Sequence, residues 1–347
     1  MGQTASEAEG LSLQESVIRQ DNGWIRLRMP VPFSLKWVNT YLLPEDGGWT
    51  VVDPGLRTPE AEAFWEAALA ASGIDWGQIV RIVLTHHHPD HYGMAGWLQR
   101  RTGAPVYLSP AAVHYAERMW GERETFSDEL TEAFRLHGLP PELAERMNVY
   151  LRGTREQVLP APEDAGPIRP GERLAMGGAE WEVLEGGGHA PGHLMFYDRA
   201  SGRILCGDQV MPKITPNIGW TPNDDPDPLL SFMSSLRQLE TLDANEAYPG
   251  HRDPFGNFTE RVRELLEHHE LRLRTIGEMY RESGPMSAFV CCERLFGVRL
   301  RNNPHNMRFA MAETIAHLVR LEREGALKRE RRESETGVEI FFAWNRH

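Results

Sequence analysis

The chain has 347 residues, 41% of them hydrophobic and 25% charged, which is ordinary for a soluble globular protein and enough for one large domain or two of usual size. A net charge of −13 argues against nucleic-acid binding by the surface as a whole and leaves room only for a local basic patch. Cys206, Cys291 and Cys292 make no disulfide framework and point to a reducing, cytoplasmic setting, and no apolar run reaches the roughly eighteen residues of a membrane span.

The opening "MGQTASEAEG" has no hydrophobic signal core, so residues 1–16 are expected to be a disordered leader. Gly2 and Ser6 also fit the short N-myristoylation pattern. Two β-prone runs, 37–43 and 49–52, flank a turn and predict a hairpin. Residues 58–73 predict a helix with Thr58 as N-cap, Pro59 at its first position and Gly73 as the stop. "IVRIVLT" (79–85) is nearly all apolar, the pattern of a strand buried on both faces. A helix over "GMAGWLQRRTG" and a strand at "PVYLS" complete a strand–helix–strand order that marks an α/β core.

Residues 110–165 change character, with three short helical patterns separated by Gly and Pro. They read as a helical insertion on the α/β body, with Trp120, Phe126, Phe134 and Tyr150 available either to line a site or to pack the insertion down. Strands return at 180–186, 193–198 and 203–208, a helix follows from about 227, and "EAYPGH" ends in a further strand. The body is expected to span 17–268. Beyond it, 269–347 predicts three helices and a hairpin, the order of a winged-helix module.

"THHHPDHYG" (85–93) puts four of the chain's 14 histidines into nine positions, directly after a buried strand, where ligand sites in α/β sheets gather. His86 and His88 alternate and can converge on one ion, while Asp90 and His91, past Pro89, can turn to a second. One loop cannot close two coordination spheres, so donors are needed elsewhere. His189 in "GGGHAPGH", Asp208 in "ILCGD" and His251 in "AYPGH" each follow an apolar run with glycine alongside, as a loop carrying a ligand at a strand end needs. Imidazole and carboxylate donors suit zinc, and also iron or manganese.

With these residues in order, the chain resembles the metallo-β-lactamase superfamily over roughly 35–255. The resemblance implies a four-layered αββα sandwich and hydrolysis dependent on two divalent metal ions, most often Zn2+. His86, His88 and His189 would hold the first ion, Asp90, His91 and His251 the second, and Asp208 would bridge them. Asp53 in "VVDPG" matches the aspartate that braces the metal loop. The family pattern takes the first histidine of "GHAPGH", so His193 is left as a strand residue, and His87 should point away. Members that run di-iron redox chemistry usually place a glutamate where His88 stands, so hydrolysis is the reaction implied.

Two neighbouring divalent ions can share a water and lower its pKa from 15.7 towards about 7. Hydroxide bridging them would attack a carbonyl carbon or a phosphorus, with Asp90 and Asp208 placed to accept or relay the proton. The substrate expected is a small ester, thioester or lactone. Lys213, Asn217 and Trp220 are positional candidates to contact it. His114, His137, His268, His269, His305 and His317 read as surface or packing residues.

Residues 271–347 hold 14 Lys and Arg against 10 Asp and Glu. A basic wing could hold nucleic acid through phosphates, as in β-lactamase-like protein 2, whose domain order this chain resembles and some of whose relatives cut single-stranded RNA. The interleaved acids favour instead a packing or dimerisation module and a homodimer. A third reading is a DNA-binding regulator whose body senses a metal or ligand.

Overall fold

A computed structural model describes residues 12–122, 124–334 and 337–345. The pattern at Gly2 and Ser6 lies outside them. Ser12 and Glu15 cap one another reciprocally and fold α1 (Leu13–Ser16), so the expected leader does not extend to residue 16. An antiparallel meander follows: β1 (Val17–Arg19), β2 (Ile25–Pro30), β3 (Trp37–Glu45) and β4 (Gly48–Val52). α2 (Pro59–Ser72) has Thr58 Oγ1 accepting from Ala61 N–H and Gly73 in the left-handed region that closes it. β5 (Ile79–Val83), α3 (Pro89–Tyr92), α4 (Ala95–Thr102) and β6 (Val106–Leu108) build the parallel half of the sheet. In β5 only part of the expected double burial is found, because Val80 at its start is exposed.

The insertion forms α5 (Pro110–Trp120), α6 (Phe126–Leu136) and α7 (Pro141–Thr154), after which β7 (Gly166–Pro167) closes a seven-stranded sheet. The second sheet holds β8 (Arg173–Met176), β9 (Ala179–Gly186), β10 (His193–Asp198), β11 (Arg203–Gly207) and, beyond α8 (Pro228–Leu239), β12 (Glu246–Pro249). The sheets face each other across a core of Trp24, Tyr41, Leu43, Val83, Trp181, Phe196 and Tyr248. A larger core lies under the flanking helices, which gives the four layers αββα.

This topology decides where a site can form. β9 and β11 are each antiparallel to β10, and β12 is parallel to β11, so β9, β11 and β12 all end at one edge. β4 and β5 are also parallel. Cross-sheet bonds tie these ends together: Leu194 N–H donates to Thr85 O at 2.7 Å and Asn39 N–H to Gly250 O at 2.7 Å.

α9 (Phe258–Ser283) runs unbroken through the expected division at 268/269, because no Gly or Pro interrupts its apolar stripe near that point and the helix stops only at Gly284. β13 (Met286–Ser287), α10 (Ala288–Phe296), α11 (Pro304–Arg323), β14 (Leu327–Ser334) and β15 (Gly337–Trp344) complete the chain, with β13 pairing β15. α11 is largely buried. Trp220 N–H donates to Ala312 O at 3.0 Å, and Arg320 pairs with Asp227 at 3.0 Å, so α11 is bolted to the loop that follows β11. No described helix is long and apolar enough to cross a membrane.

Candidate metal centre

The seven residues picked from the sequence meet at this edge. His86, His88, Asp90 and His91 follow β5, and His189, Asp208 and His251 follow β9, β11 and β12. Their ligand atoms form three overlapping groups able to hold a metal ion: His86, His88 and His189; His86, His91 and Asp208; and Asp90, His91 and His251. His87 and His193 fall in none of them. His87 turns away and stacks on Tyr115 with 5.7 Å between ring centroids. His193 is buried and accepts from Asp208 N–H at 3.2 Å, so it supports the backbone of a candidate ligand.

Hydrogen bonds fix which imidazole nitrogen faces the centre. His189 Nδ1 lies 3.0 Å from Asn217 O and His251 Nδ1 lies 2.9 Å from Trp37 O. A carbonyl only accepts, so each Nδ1 carries the proton. His91 Nδ1–H donates to Asp53 Oδ2 at 2.8 Å. Thr85 Oγ1 gives its one proton to Asp53 Oδ2 at 2.7 Å and so accepts from His86 Nδ1–H at 2.9 Å. Four Nε2 lone pairs are therefore turned inward by partners outside the cluster, the arrangement that orients metal-binding histidines. Asp53 makes this possible from a left-handed backbone (φ 54°) that lets its carboxylate also accept from Thr85 N–H at 2.8 Å.

The donor set fits an ion. The Nε2 atoms of His86, His91 and His189 and Oδ1 of Asp208 are buried with no hydrogen-bond partner, which is costly unless something else satisfies them. Asp208 Oδ2 lies 3.4, 3.5 and 3.7 Å from Nε2 of His91, His251 and His189. Those separations are long for hydrogen bonds, but ligands held about 2.1 Å from one tetrahedral ion stand about 3.4 Å apart. His251 Nε2 also lies 3.1 Å from Asp90 Oδ2. A side chain at Gly250 would collide with the Asp208 carboxylate and the His91 ring, so the loop must carry glycine there.

Burial pushes His86 and His88 well below the ordinary histidine range, and neighbouring imidazoles add to it. They are neutral at neutral pH, the form in which an imidazole can bind a metal. Burial acts to raise Asp208, but His251 and His91 outweigh it and hold the carboxyl well below its usual range. Asp90 is lowered against burial by the same two histidines. The same carboxylates outweigh burial at His91 and His251 and hold both above the ordinary histidine range, and a divalent cation bound here would replace the protons that such pairs otherwise hold.

A cavity of about 320 Å³ opens over the cluster, bounded by Phe33, Trp120, Tyr150, Met211 and Ile214, with His305, Arg308 and Phe309 from α11. A second, of about 470 Å³, adjoins it and runs along Gly186–Gly192 toward α8. Of the four insertion aromatics, Trp120 and Tyr150 line the first and Phe126 the second. Phe134 is wholly buried in the core instead, because its face of α6 turns inward. Asn217 lines both cavities, whereas Trp220 packs on His137 at 5.5 Å and Lys213 borders neither. Sequence reasoning missed Phe33, His305, Arg308 and Phe309. His305 was expected on the surface or in packing, yet it stacks on Phe33 at 4.8 Å and bonds Tyr150 Oη through Nδ1 at 2.6 Å.

The chain matches the family described as "Metallo-beta-lactamase superfamily" over residues 38–251 and that described as "Metallo-beta-lactamase-like, C-terminal domain" over residues 273–342. The Bacillus subtilis protein named "Probable metallo-hydrolase YqjP" is 28% identical over 313 residues, covering 87% of this chain and 93% of its own. An Aspergillus fumigatus protein named "Atrochrysone carboxyl ACP thioesterase" is 23% identical and covers 71% of this chain and 61% of its own. The crystal structure of a metallo-beta-lactamase family protein from Thermus thermophilus superposes with a TM-score of 0.81 at 36% identity, over 93% of this chain and 98% of that one. A beta-lactamase domain protein from Burkholderia ambifaria gives 0.83 at 29% identity, over 94% of each chain.

Proposed function

The chain belongs to the metallo-beta-lactamase superfamily of metallo-hydrolases, and from that premise we propose that it cleaves a small ester, thioester or lactone at a binuclear divalent-metal site. His86, His88 and His189 would hold one ion, Asp90, His91 and His251 the other, and Asp208 would serve both. Ions bound by these residues would supply an acidified water as nucleophile at neutral pH and polarisation of the carbonyl to be attacked. Asp90 and Asp208, held ionised, are the groups able to take and pass on the proton. Trp120, Tyr150 and Ile214 exclude water from the acyl group and orient it.

The observation that carries this reading is the cavity over the cluster. At about 320 Å³ with aromatic and aliphatic walls, it is the size and character of a small-molecule site, and a relative is named as a thioesterase. A polynucleotide would need an open basic groove. Among the described residues, Arg308 is the one Lys or Arg lining either cavity. The regulator reading needs an exposed third helix to enter the major groove, and α11 is packed against α7, α8 and α9.

The test is metal content per chain by elemental analysis, run beside hydrolysis of a p-nitrophenyl ester, a thioester, a lactone and a single-stranded RNA. Close to two ions per chain with chelator-sensitive acyl hydrolysis is expected. Fewer than one ion, or RNA as the sole substrate cut, overturns the proposal.

A further inference from the structure

We propose that Arg308 is a specificity-determining residue of this site and that its guanidinium pairs with a carboxylate carried by the acyl substrate. The inference rests on the acyl hydrolysis proposed above. Arg308 sits in the second turn of α11 and lines both cavities, as do His88 and His189. It therefore stands where the cavities meet, beside the candidate ligands.

Arg308 is unusual for a charged group of the C-terminal part. Its Nε is buried without a hydrogen-bond partner, and no ion pair or hydrogen bond satisfies it among the described residues. The other partly buried charges on α11 are answered: Arg320 pairs with Asp227 at 3.0 Å, and Glu313 meets Arg272 and accepts from Asn217 Nδ2 at 2.9 Å. The side chain is half-buried, with its remaining exposure toward the cavities it lines, and burial lowers the pKa of this guanidinium. Asp90 is near enough to act on it, but that carboxylate is turned to His251 at 3.1 Å. The chain has left the position for a charge that it does not itself carry.

The geometry narrows what that charge can be. The guanidinium lies over the Phe309 ring, 4.0 Å from its centroid. Stacking on a face leaves the in-plane N–H edges free, and that fork matches the two oxygens of a carboxylate. A single positive charge balances one carboxylate. A phosphate dianion asks for more, and Asp224 and Asp225 on the wall of the larger cavity oppose it.

The experiment compares 4-nitrophenyl butyrate with the 4-nitrophenyl monoesters of glutaric and glutaramic acid on the metal-loaded wild type, Arg308→Met and Arg308→Lys. The wild type should favour the glutaric monoester in kcat/KM over both neutral esters by about 10-fold or more, the size of a hydrogen bond to a charged partner. In Arg308→Met the ratio should fall to near one, and Arg308→Lys should keep part of it. No preference in the wild type, or one that survives Arg308→Met, overturns the inference. Calorimetry of glutarate, glutaramide and inorganic phosphate gives a readout independent of turnover. Glutarate should bind the wild type about 10-fold more tightly than Arg308→Met. Equal binding, or phosphate held more tightly than glutarate, also overturns it. If none of the esters is hydrolysed, the acyl-hydrolase reading fails while the binding comparison still decides the role of Arg308.

Discussion

The two walls of this site are held in opposite ways. At the strand ends, four imidazoles are each pinned through Nδ1 to a partner behind them, and the Nε2 atoms are left converging. On the facing wall, built by α7 and α11, Tyr150 and His305 hold each other and, among the described residues, Arg308 is held by a ring face alone. The strand-end wall is preorganised for a chemistry that tolerates little movement. The helical wall leaves the Arg308 Nε without a hydrogen-bond partner among the described residues. Rigid donors on one side and an unanswered charge on the other are how one sandwich can keep a reaction and change its substrate.

The largest effect should come from the strand-end wall. His88→Ala removes a donor shared with His86 and His189. It should cut hydrolysis by more than the roughly 100-fold that losing an outer-shell partner costs, with the loss matched by metal content from elemental analysis. Turnover that survives the change would mean that the cluster is not where the reaction occurs, and the contrast between the walls would lose its meaning. Asp53→Asn should cost less. Asparagine also tolerates the left-handed backbone of residue 53, so the substitution tests the charge that accepts from His91 and Thr85. Metal affinity by chelator competition should fall about 10- to 100-fold.

The same contrast governs what could be read from the sequence. Every residue of the cluster lies in a short segment where a strand pattern runs into Gly, Asp or His, and a local signal of that kind needs no tertiary knowledge. β2 did not give one, because Arg26 and Arg28 alternate with its apolar residues and look solvated. The fold buries Arg26 and pairs it with Asp253, 2.9 Å away and more than 200 residues on. The helices of the insertion were legible from caps and periodicity, but which aromatic faces the site was not. Trp120 and Phe134 carry the same hydrophobic signal, and only the packing of α5 and α6 separates them. Arg308 was invisible for the same reason: one cation on an amphipathic helix reads as a solvated face until the opposite wall is in place.

The packing around His137, where α6 ends, should weaken in acid. His137 lies between Trp220 and Phe342, and burial lowers its pKa to about 4 against the bond its ring makes to Ala133 O. In the unfolded chain it protonates near 6.5. The unfolded state therefore binds the proton first, and stability is lost as pH falls from 6.5 toward 4, by roughly 2–3 kcal/mol from this residue. Urea unfolding of His137→Leu across that window should show a shallower pH dependence than the wild type. Some slope should remain, because His269 and His317 are also buried, with pKa values of about 2 and about 3. An unchanged slope would place the acid sensitivity at the other buried histidines instead.

The smallest effect expected is at the β14–β15 hairpin. Lys328 and Arg332 reach Glu330 at 3.1 and 2.8 Å and Arg329 reaches Glu322 at 2.7 Å, so much of the positive charge that suggested a nucleic-acid surface is answered within the hairpin and by α11. Exposed pairs of this kind contribute about 0–1 kcal/mol each. Lys328→Ala combined with Arg332→Ala should leave acyl hydrolysis within error of the wild type and shift the unfolding midpoint slightly. Any weak binding of a single-stranded RNA, followed by fluorescence anisotropy, should keep its salt dependence. Were those two cations phosphate contacts, the slope of log K against log salt would drop by about 0.7 for each one removed. A drop of that size would turn the hairpin from a packing element into a guide for nucleic acid, and the helical wall would then serve a polymer rather than a small acyl group.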